Sequence, residues 1–159
     1  MGEALSRETS IAGLIVTTQR QIVDARGAVL HMLRADAPDF QSFGECYFSE
    51  VNPGVAKAWK RHRRQTQNLA VPVGRVRFVL FDARDGSPTQ GNLEVIELGR
   101  PDAYERLRIP PMIWYGFRCV SSVPGLVVNC ADEPHDPGES EALALESPGR
   151  ADALELLCR

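Results

Sequence analysis

Apolar and polar residues alternate along much of this chain with the period of half-buried β-strands. The clearest run starts at Val73: in VGRVRFVLFDAR, Val76, Phe78 and Leu80 fall on one side, with Arg75 and Arg77 on the other. Earlier, FGECYFSEV places Phe43, Glu45, Tyr47 and Ser49 on one face, with Cys46 and Phe48 opposite. Shorter strands are predicted at residues 22–23, 28–33, 92–98, 113–120 and 125–129. Turn-forming clusters separate them, at Val51-Asn52-Pro53-Gly54, Asp85-Gly86-Ser87-Pro88, Ile109-Pro110-Pro111 and Val123-Pro124-Gly125. Many short strands at such spacing predict an all-β sandwich or barrel, because sheets of this kind hide their edges by closing on themselves. From Ala142 onward, Leu143, Leu145, Leu154, Leu156 and Leu157 lie among Ala and Glu and predict one or two short helices, interrupted at Ser147-Pro148-Gly149. The chain thus divides into a barrel over residues 1–141 and a tail over 142–159.

Composition narrows the class. At 159 residues, with 43% hydrophobic and 25% charged residues, the chain suits one globular domain with a normal core. No basic start with a continuous apolar run and no long apolar window is found, which predicts a cytoplasmic protein without a membrane partner. The formal net charge of -3 argues against a nucleic-acid partner, since phosphate neutralisation supplies most of such affinity. Cys46, Cys119, Cys130 and Cys158 are widely separated without a CxxC pair, so reduced, mostly buried thiols are expected rather than a zinc ribbon or redox motif.

One stretch breaks the acidic balance. GVAKAWKRHRRQTQN, Gly54 to Asn68, packs two Lys, three Arg and one His between Lys57 and Arg64. This predicts either a local anion site with a titratable group inside it or a solvated strand end. Glu45, Tyr47 and Ser49 pose a similar choice: their shared face is either solvent or the wall of a pocket, because burying a carboxylate and a phenol costs several kcal/mol unless partners satisfy them.

Five short motifs in order resemble the dTDP-4-dehydrorhamnose 3,5-epimerase family, over about Asp24 to Glu139. They are Asp24-Ala25-Arg26-Gly27; Phe43-Gly44-Glu45-Cys46-Tyr47-Phe48-Ser49; Gly54-Val55 with Lys57-Ala58-Trp59-Lys60; Asp82-Ala83-Arg84 with Ser87-Pro88-Thr89 and Gly91; and Ile109-Pro110 with Tyr115-Gly116-Phe117. The resemblance implies a jelly-roll cupin barrel, a homodimer, a nucleotide-diphosphate sugar as ligand, and epimerisation beside a 4-keto group by deprotonation and reprotonation. It implies no cofactor and no metal. A metal-dependent cupin would need converging His residues, usually with a His-x-His pair, which this chain lacks.

Carried over by position, Arg26 and Lys57 are implied diphosphate ligands. Arg26 has an ion pair with Asp24 as its alternative, and Lys57 a surface charge. Glu45 is implied to contact nucleotide or sugar, and Tyr47 and Asn68 join it as substrate-binding candidates. Arg84 reads as a structural residue of its turn. The family's catalytic His is replaced by Lys60, two residues before His62 and on the same strand face. His62 as base with Lys60 stabilising the enolate is a chemically sensible substitute; a desolvated Lys60 acting as base is another. A third reading leaves His62 a solvated member of the basic run.

The family's Tyr before a Ser-Pro-x-x-Glu segment is absent from Cys130–Glu139, where His135 is the nearest titratable substitute or else a loop partner of Asp132 or Asp136. The family's base-orienting carboxylate, from a C-terminal segment with Trp and Asp-Pro, has no counterpart, which leaves Glu45 or Tyr115 to partner His62. Tyr115 replaces a family His and either donates a proton or stacks, and His31 replaces a family carboxylate. A nucleotide-sugar epimerase is the first expectation. A catalytically silent sugar-nucleotide binding cupin and a barrel without ligand are the alternatives.

Overall fold

The computed structural model describes residues 5–159. Among these residues the strands are β1 (Ser6–Glu8), β2 (Ile15–Thr18), β3 (Gln21–Asp24), β4 (Gly27–Leu30), β5 (Glu45–Val51), β6 (Ala56–His62), β7 (Gln67–Val73), β8 (Arg75–Asp82), β9 (Leu93–Gly99), β10 (Glu105–Ile109), β11 (Ile113–Cys119), β12 (Gly125–Ala131) and β13 (Ser140–Ala142). A 3-10 turn at Pro137–Glu139 precedes β13, and one helix, α1 (Ala151–Cys158), follows it.

Four antiparallel pairings nest inside one another: β8 with β9, β7 with β10, β6 with β11, and β5 with β12. Successive pairings fall in alternate sheets, one ordered β1-β2-β10-β7-β12-β5 and the other β13-β6-β11-β8-β9. This long hairpin rolled into two sheets is a jelly roll, as expected of the cupin fold class. The β3–β4 hairpin stands apart as a two-stranded sheet.

The main core lies between the sheets. Val16, Val51, Leu69, Val71, Leu107, Ile109 and Val127 of the six-stranded sheet meet Val76, Phe78, Leu80, Ile96, Leu98 and Ile113 of the other. A second apolar layer covers the outer face of the five-stranded sheet, where Trp59, Val79, Phe81 and Trp114 pack against Ala153 and Leu157 of α1. The Trp59 indole N–H donates to Leu145 O at 3.0 Å, which ties the tail down.

Several expectations change here. The tail forms one helix, after the Ser147-Pro148-Gly149 break rather than on both sides of it, and Ser140–Ala142 joins β6 as a strand. A boundary at residue 141 therefore falls inside β13, and residues 143–159 belong to the packed body through the second layer. Strand β8 begins half-buried but is buried on both faces from Phe78 on, because α1 covers Val79 and Phe81. Strands β2, β7 and β10 escape the period-two reading. In β7, Gln67 to Val71 are all buried, so no alternation marks the strand. Only Cys119 of the thiols is buried; Cys46 and Cys158 are exposed and Cys130 lies between.

Candidate functional site

Alternation sends Lys60 and His62 of β6 to the inner side of the five-stranded sheet, while Trp59 joins the outer layer and the Arg61 guanidinium lies 4.8 Å over the Trp114 ring. Strict alternation would separate Lys57 from Lys60. The β6–β11 register shifts between Tyr115 and Phe117, and both lysines then line one cavity. Gly116 permits the close strand approach at this shift, since a Cβ there would fall 2.4 Å from Ala58 Cβ.

The cavity measures about 370 Å³, within the range of small-molecule sites. Its polar wall comes from both sheets: Lys57, Lys60 and Tyr115 from one, Tyr47, Ser49 and Asn129 from the other. Leu69, Phe117 and Val127 supply apolar surface.

Behind Tyr115 runs a chain of buried polar groups. His62 Nδ1 is hydrogen-bonded to Glu139 Oε1, and His62 Nε2 lies 3.3 Å from the Tyr115 hydroxyl. Glu139 Oε2 accepts from the backbone N–H groups of Arg64 at 3.2 Å and Gln65 at 3.3 Å. Burial works to raise the Glu139 pKa, but His62 and these two N–H groups outweigh it and hold the carboxylate ionised. An ionised carboxylate only accepts, so Nδ1 carries the imidazole proton and Nε2 presents its lone pair to Tyr115. Burial lowers the His62 pKa and Lys60 adds to the shift, against the opposing pull of Glu139, so the ring is a neutral base at neutral pH. Burial raises the Tyr115 pKa, assisted by Tyr47 and Glu139, which keeps its proton on the oxygen.

The opposite wall is prepared for hydroxyl groups. Asn129 uses its amide protons on the Tyr47 hydroxyl, at 2.8 Å, and on Gln67 Oε1. Its own carbonyl oxygen is buried without a partner. Tyr47, accepting from Asn129, keeps a proton to donate. Lys57 Nζ donates to Ser49 Oγ at 2.9 Å and Glu50 O at 2.6 Å, and neither Lys57 nor Lys60 has a carboxylate ion-pair partner among the described residues. The cavity therefore presents two lysines without carboxylate ion pairs among the described residues, a tyrosine backed by a neutral base, and several hydroxyl partners.

The remaining candidates lie elsewhere. Arg61, Arg63 and Arg64 do not line the cavity: Arg61 and Arg63 pair with Glu141, and Arg64 pairs with Glu133 and Asp136. They clamp the segment that carries Glu139, so most of the basic run is spent on neighbouring acids. Asn68 points away from the cavity, where its carbonyl accepts from the buried Arg106 guanidinium at 2.6 Å. Glu45 is half-buried at the start of β5, outside the cavity lining. Arg26 sits at the exposed β3–β4 turn, paired with Asp24 at 2.6 Å. His135 is exposed in the loop before the 3-10 turn. His31 uses its backbone carbonyl to accept from the Tyr104 hydroxyl at 2.9 Å. Arg84 is structural, as expected, holding Asp82 at 2.8 Å and Ala12 O at 2.9 Å.

Glu139 and Asn129 escaped the sequence reading. Glu139 carried one signal, its place at the end of the segment corresponding to the family's Ser-Pro-x-x-Glu. Asn129 carried another, a polar residue at inward parity in GLVVNCA.

No group of three or more His, Cys, Asp or Glu able to hold a metal ion occurs among the described residues. No helix among them is long and apolar enough to cross a membrane.

Comparison with known proteins identifies the family of the chain. The sequence model of the family described as dTDP-4-dehydrorhamnose 3,5-epimerase matches residues 8–151. A solved dTDP sugar isomerase from Desulfovibrio desulfuricans G20 is 52% identical, with a TM-score of 0.85 covering 87% of this chain and 88% of that one. The probable low-salt glycan biosynthesis epimerase Agl13 of Haloferax volcanii is 33% identical over 115 residues, 71% of this chain and 73% of its own. The spore coat polysaccharide biosynthesis protein SpsL of Bacillus subtilis is 28% identical over 131 residues, 82% of this chain and 86% of its own.

Proposed function

This chain belongs to the dTDP-4-dehydrorhamnose 3,5-epimerase family, and we propose that it is a sugar-nucleotide epimerase inverting a carbon alpha to the ketone of a nucleotide-linked 4-keto-6-deoxy sugar. The observation that carries this reading is the Glu139–His62–Tyr115 chain, which ends at the cavity wall. A proton alpha to a ketone is removed only if a base takes it while charge on the developing enolate is stabilised. Tyr115 lines the cavity and His62 stands behind it, so the phenol oxygen takes the sugar proton as its own proton passes to His62 Nε2. Glu139 then stabilises the imidazolium, and inversion is completed when a proton from solvent reaches the opposite face of the enolate carbon while the imidazolium returns its own proton to solvent. Lys60, opposite Tyr115 across the β6–β11 pair, supplies the cation for the enolate oxygen. Lys57 serves the diphosphate as a point charge. The free Asn129 carbonyl and the Tyr47 hydroxyl serve sugar hydroxyls.

The glycan and spore-coat polysaccharide roles of the relatives support a place for this chain in cell-surface polysaccharide synthesis, with a cytoplasmic location as part of the proposal. A homodimer is part of the proposal. The β3–β4 hairpin leaves the cross-strand pair Ile22 and Val29 41% and 61% exposed on one face, and a second copy covering this apolar pair would bring Arg26 at the hairpin turn near an anionic ligand.

The test is solvent deuterium incorporation into dTDP-, CDP- or GDP-linked 4-keto-6-deoxy sugars. Deuterium at C3 or C5, reduced by Tyr115→Phe and His62→Asn, is the expected result. Calorimetric binding of these sugars without any exchange would sink the epimerase reading in favour of a silent binding protein.

A further inference from the structure

Cys46 of β5 and Cys130 of β12 stand directly opposite one another. The backbone of β12 shows what kind of pair this is. Ala131 O accepts from Gly44 N–H on the β5 side at 2.8 Å, whereas Asp132 N–H donates to Thr66 O on the β7 side at 3.3 Å. Successive residues of a strand send their backbone groups to alternate neighbours, so Cys130, like Asp132, is directed at β7. The Asn68 side chain accordingly donates to Cys130 O at 3.2 Å. Cys46 and Cys130 are therefore a non-hydrogen-bonded pair, the class in which opposed Cα atoms lie about 4.5 Å apart with side chains closest. A disulfide spans Cα separations of about 4.4–6.8 Å, so this pair closes without moving the backbone.

Both thiols lie on the outer face of the six-stranded sheet, because their neighbours Tyr47 and Asn129 face the cavity. We propose that Cys46 and Cys130 form an oxidisable dithiol, a modification site that closes to a cross-strand disulfide with a peroxide or a low-molecular-weight disulfide. Cys46 is exposed and meets the oxidant first. Its sulfur attacks a peroxide oxygen, the O–O bond breaks, and the departing oxygen leaves as water with the thiol proton, giving a sulfenic acid. Cys130 sulfur then attacks Cys46 sulfur, the S–O bond breaks, and the hydroxide takes the Cys130 proton as a second water. Two thiols lose two electrons and one peroxide gains them. With a small disulfide as oxidant, exchange through a mixed disulfide at Cys46 releases two small thiols. Burial and the neighbouring Cys46 push the Cys130 thiol up to about 12, so Cys130 does not begin the reaction and enters only once Cys46 is oxidised.

The pair adjoins the site. Tyr47 and Asn129 are the next residues on the two strands, hydrogen-bonded to each other at 2.8 Å and lining the cavity. Closure of the disulfide fixes β5 against β12 immediately behind them, so oxidation is read at the cavity wall.

The full chain is treated with hydrogen peroxide or oxidised glutathione, remaining thiols are alkylated, and unreduced peptides are mapped by mass spectrometry. The expected result is a peptide linking Cys46 to Cys130 and loss of two of the four alkylatable thiols, reversed by dithiothreitol. Cys46→Ser and Cys130→Ser each abolish the link and keep the activity of the reduced protein. Four free thiols after treatment, a stable glutathione adduct on Cys46 beside a free Cys130, or a link between two chains overturns the proposal. An intact link that leaves nucleotide-sugar KM unchanged overturns its connection to the cavity. The thiol map stands whether or not the epimerase reading does.

Discussion

The two sides of β6 use the same kind of charge in opposite ways. On the inner side, Lys60 joins Lys57 at the cavity, with no carboxylate ion pair for either lysine among the described residues, and His62 stands behind Tyr115 as a neutral, buried imidazole. On the outer side and just past the strand, Arg61, Arg63 and Arg64 are consumed by Glu133, Asp136 and Glu141. The lesson is that this basic run is two populations, separated by the β6–β11 register shift and the turn past the strand as well as by side-chain parity. One is kept short of partners for a ligand, and the other binds the loop that supplies the orienting carboxylate.

That contrast breaks most sharply at His62. His62→Asn is expected to lower kcat by about 10²–10⁴-fold, the usual worth of a positioned acid–base group, while circular dichroism shows the fold retained. If it leaves kcat intact, the inner side of β6 is no more than a charged surface. On the outer side, Leu157→Ala removes a fully buried contact of the layer containing Trp59 and should cost about 2–5 kcal/mol in denaturant unfolding, with kcat per folded molecule unchanged.

Glu139 links the two sides, and Glu139→Gln tests it as a positioning residue. Loss of imidazole orientation is expected to reduce kcat by about 10²-fold. Glu139 raises the His62 pKa, so its removal also moves the acidic limb of the pH–rate profile to lower pH, a shift that a merely structural role would not produce.

Stability should follow the same buried pair. The His62 pKa is lowered in the folded protein, so its contribution is complete above the unfolded value of about 6.5 and is lost as pH falls, with a slope of at most about 1.4 kcal/mol per pH unit. Glu139 is also lowered, and adds a further loss below about pH 4.3. Thermal unfolding midpoints at falling pH check both, and His62→Asn should flatten the first decline. The smallest effect is expected for Arg64→Ala, whose pairs with Glu133 and Asp136 are exposed: kcat stays at the wild-type level.

Much of this architecture was legible beforehand. Period-two alternation located β5 and β8, and short runs between turn clusters located β3, β4, β9, β11 and β12. Alternation failed at β7, where Gln67 to Val71 are buried on both faces, and it misjudged the outer face of β8, because only α1 makes Val79 and Phe81 interior. At the site, Lys57, Lys60, His62, Tyr47 and Tyr115 were visible through motif order and parity. Asn68 was not, because it has the wrong parity and serves Arg106. His135 suggested itself by its ring, yet Glu139, at the end of the same segment, is the residue that meets His62.

The sequence by itself determined what repeats locally, strand parity and turn positions, while the jelly roll was implied only by the family resemblance of its ordered motifs. Parity and turns follow from backbone geometry and nearest-neighbour chemistry. Only the tertiary structure decided which charges were already spent, which carboxylate turned to His62, and that Cys46 faces Cys130 across 84 positions of chain. Pairing across a jelly roll joins residues far apart in sequence, and no local period records which of them will meet.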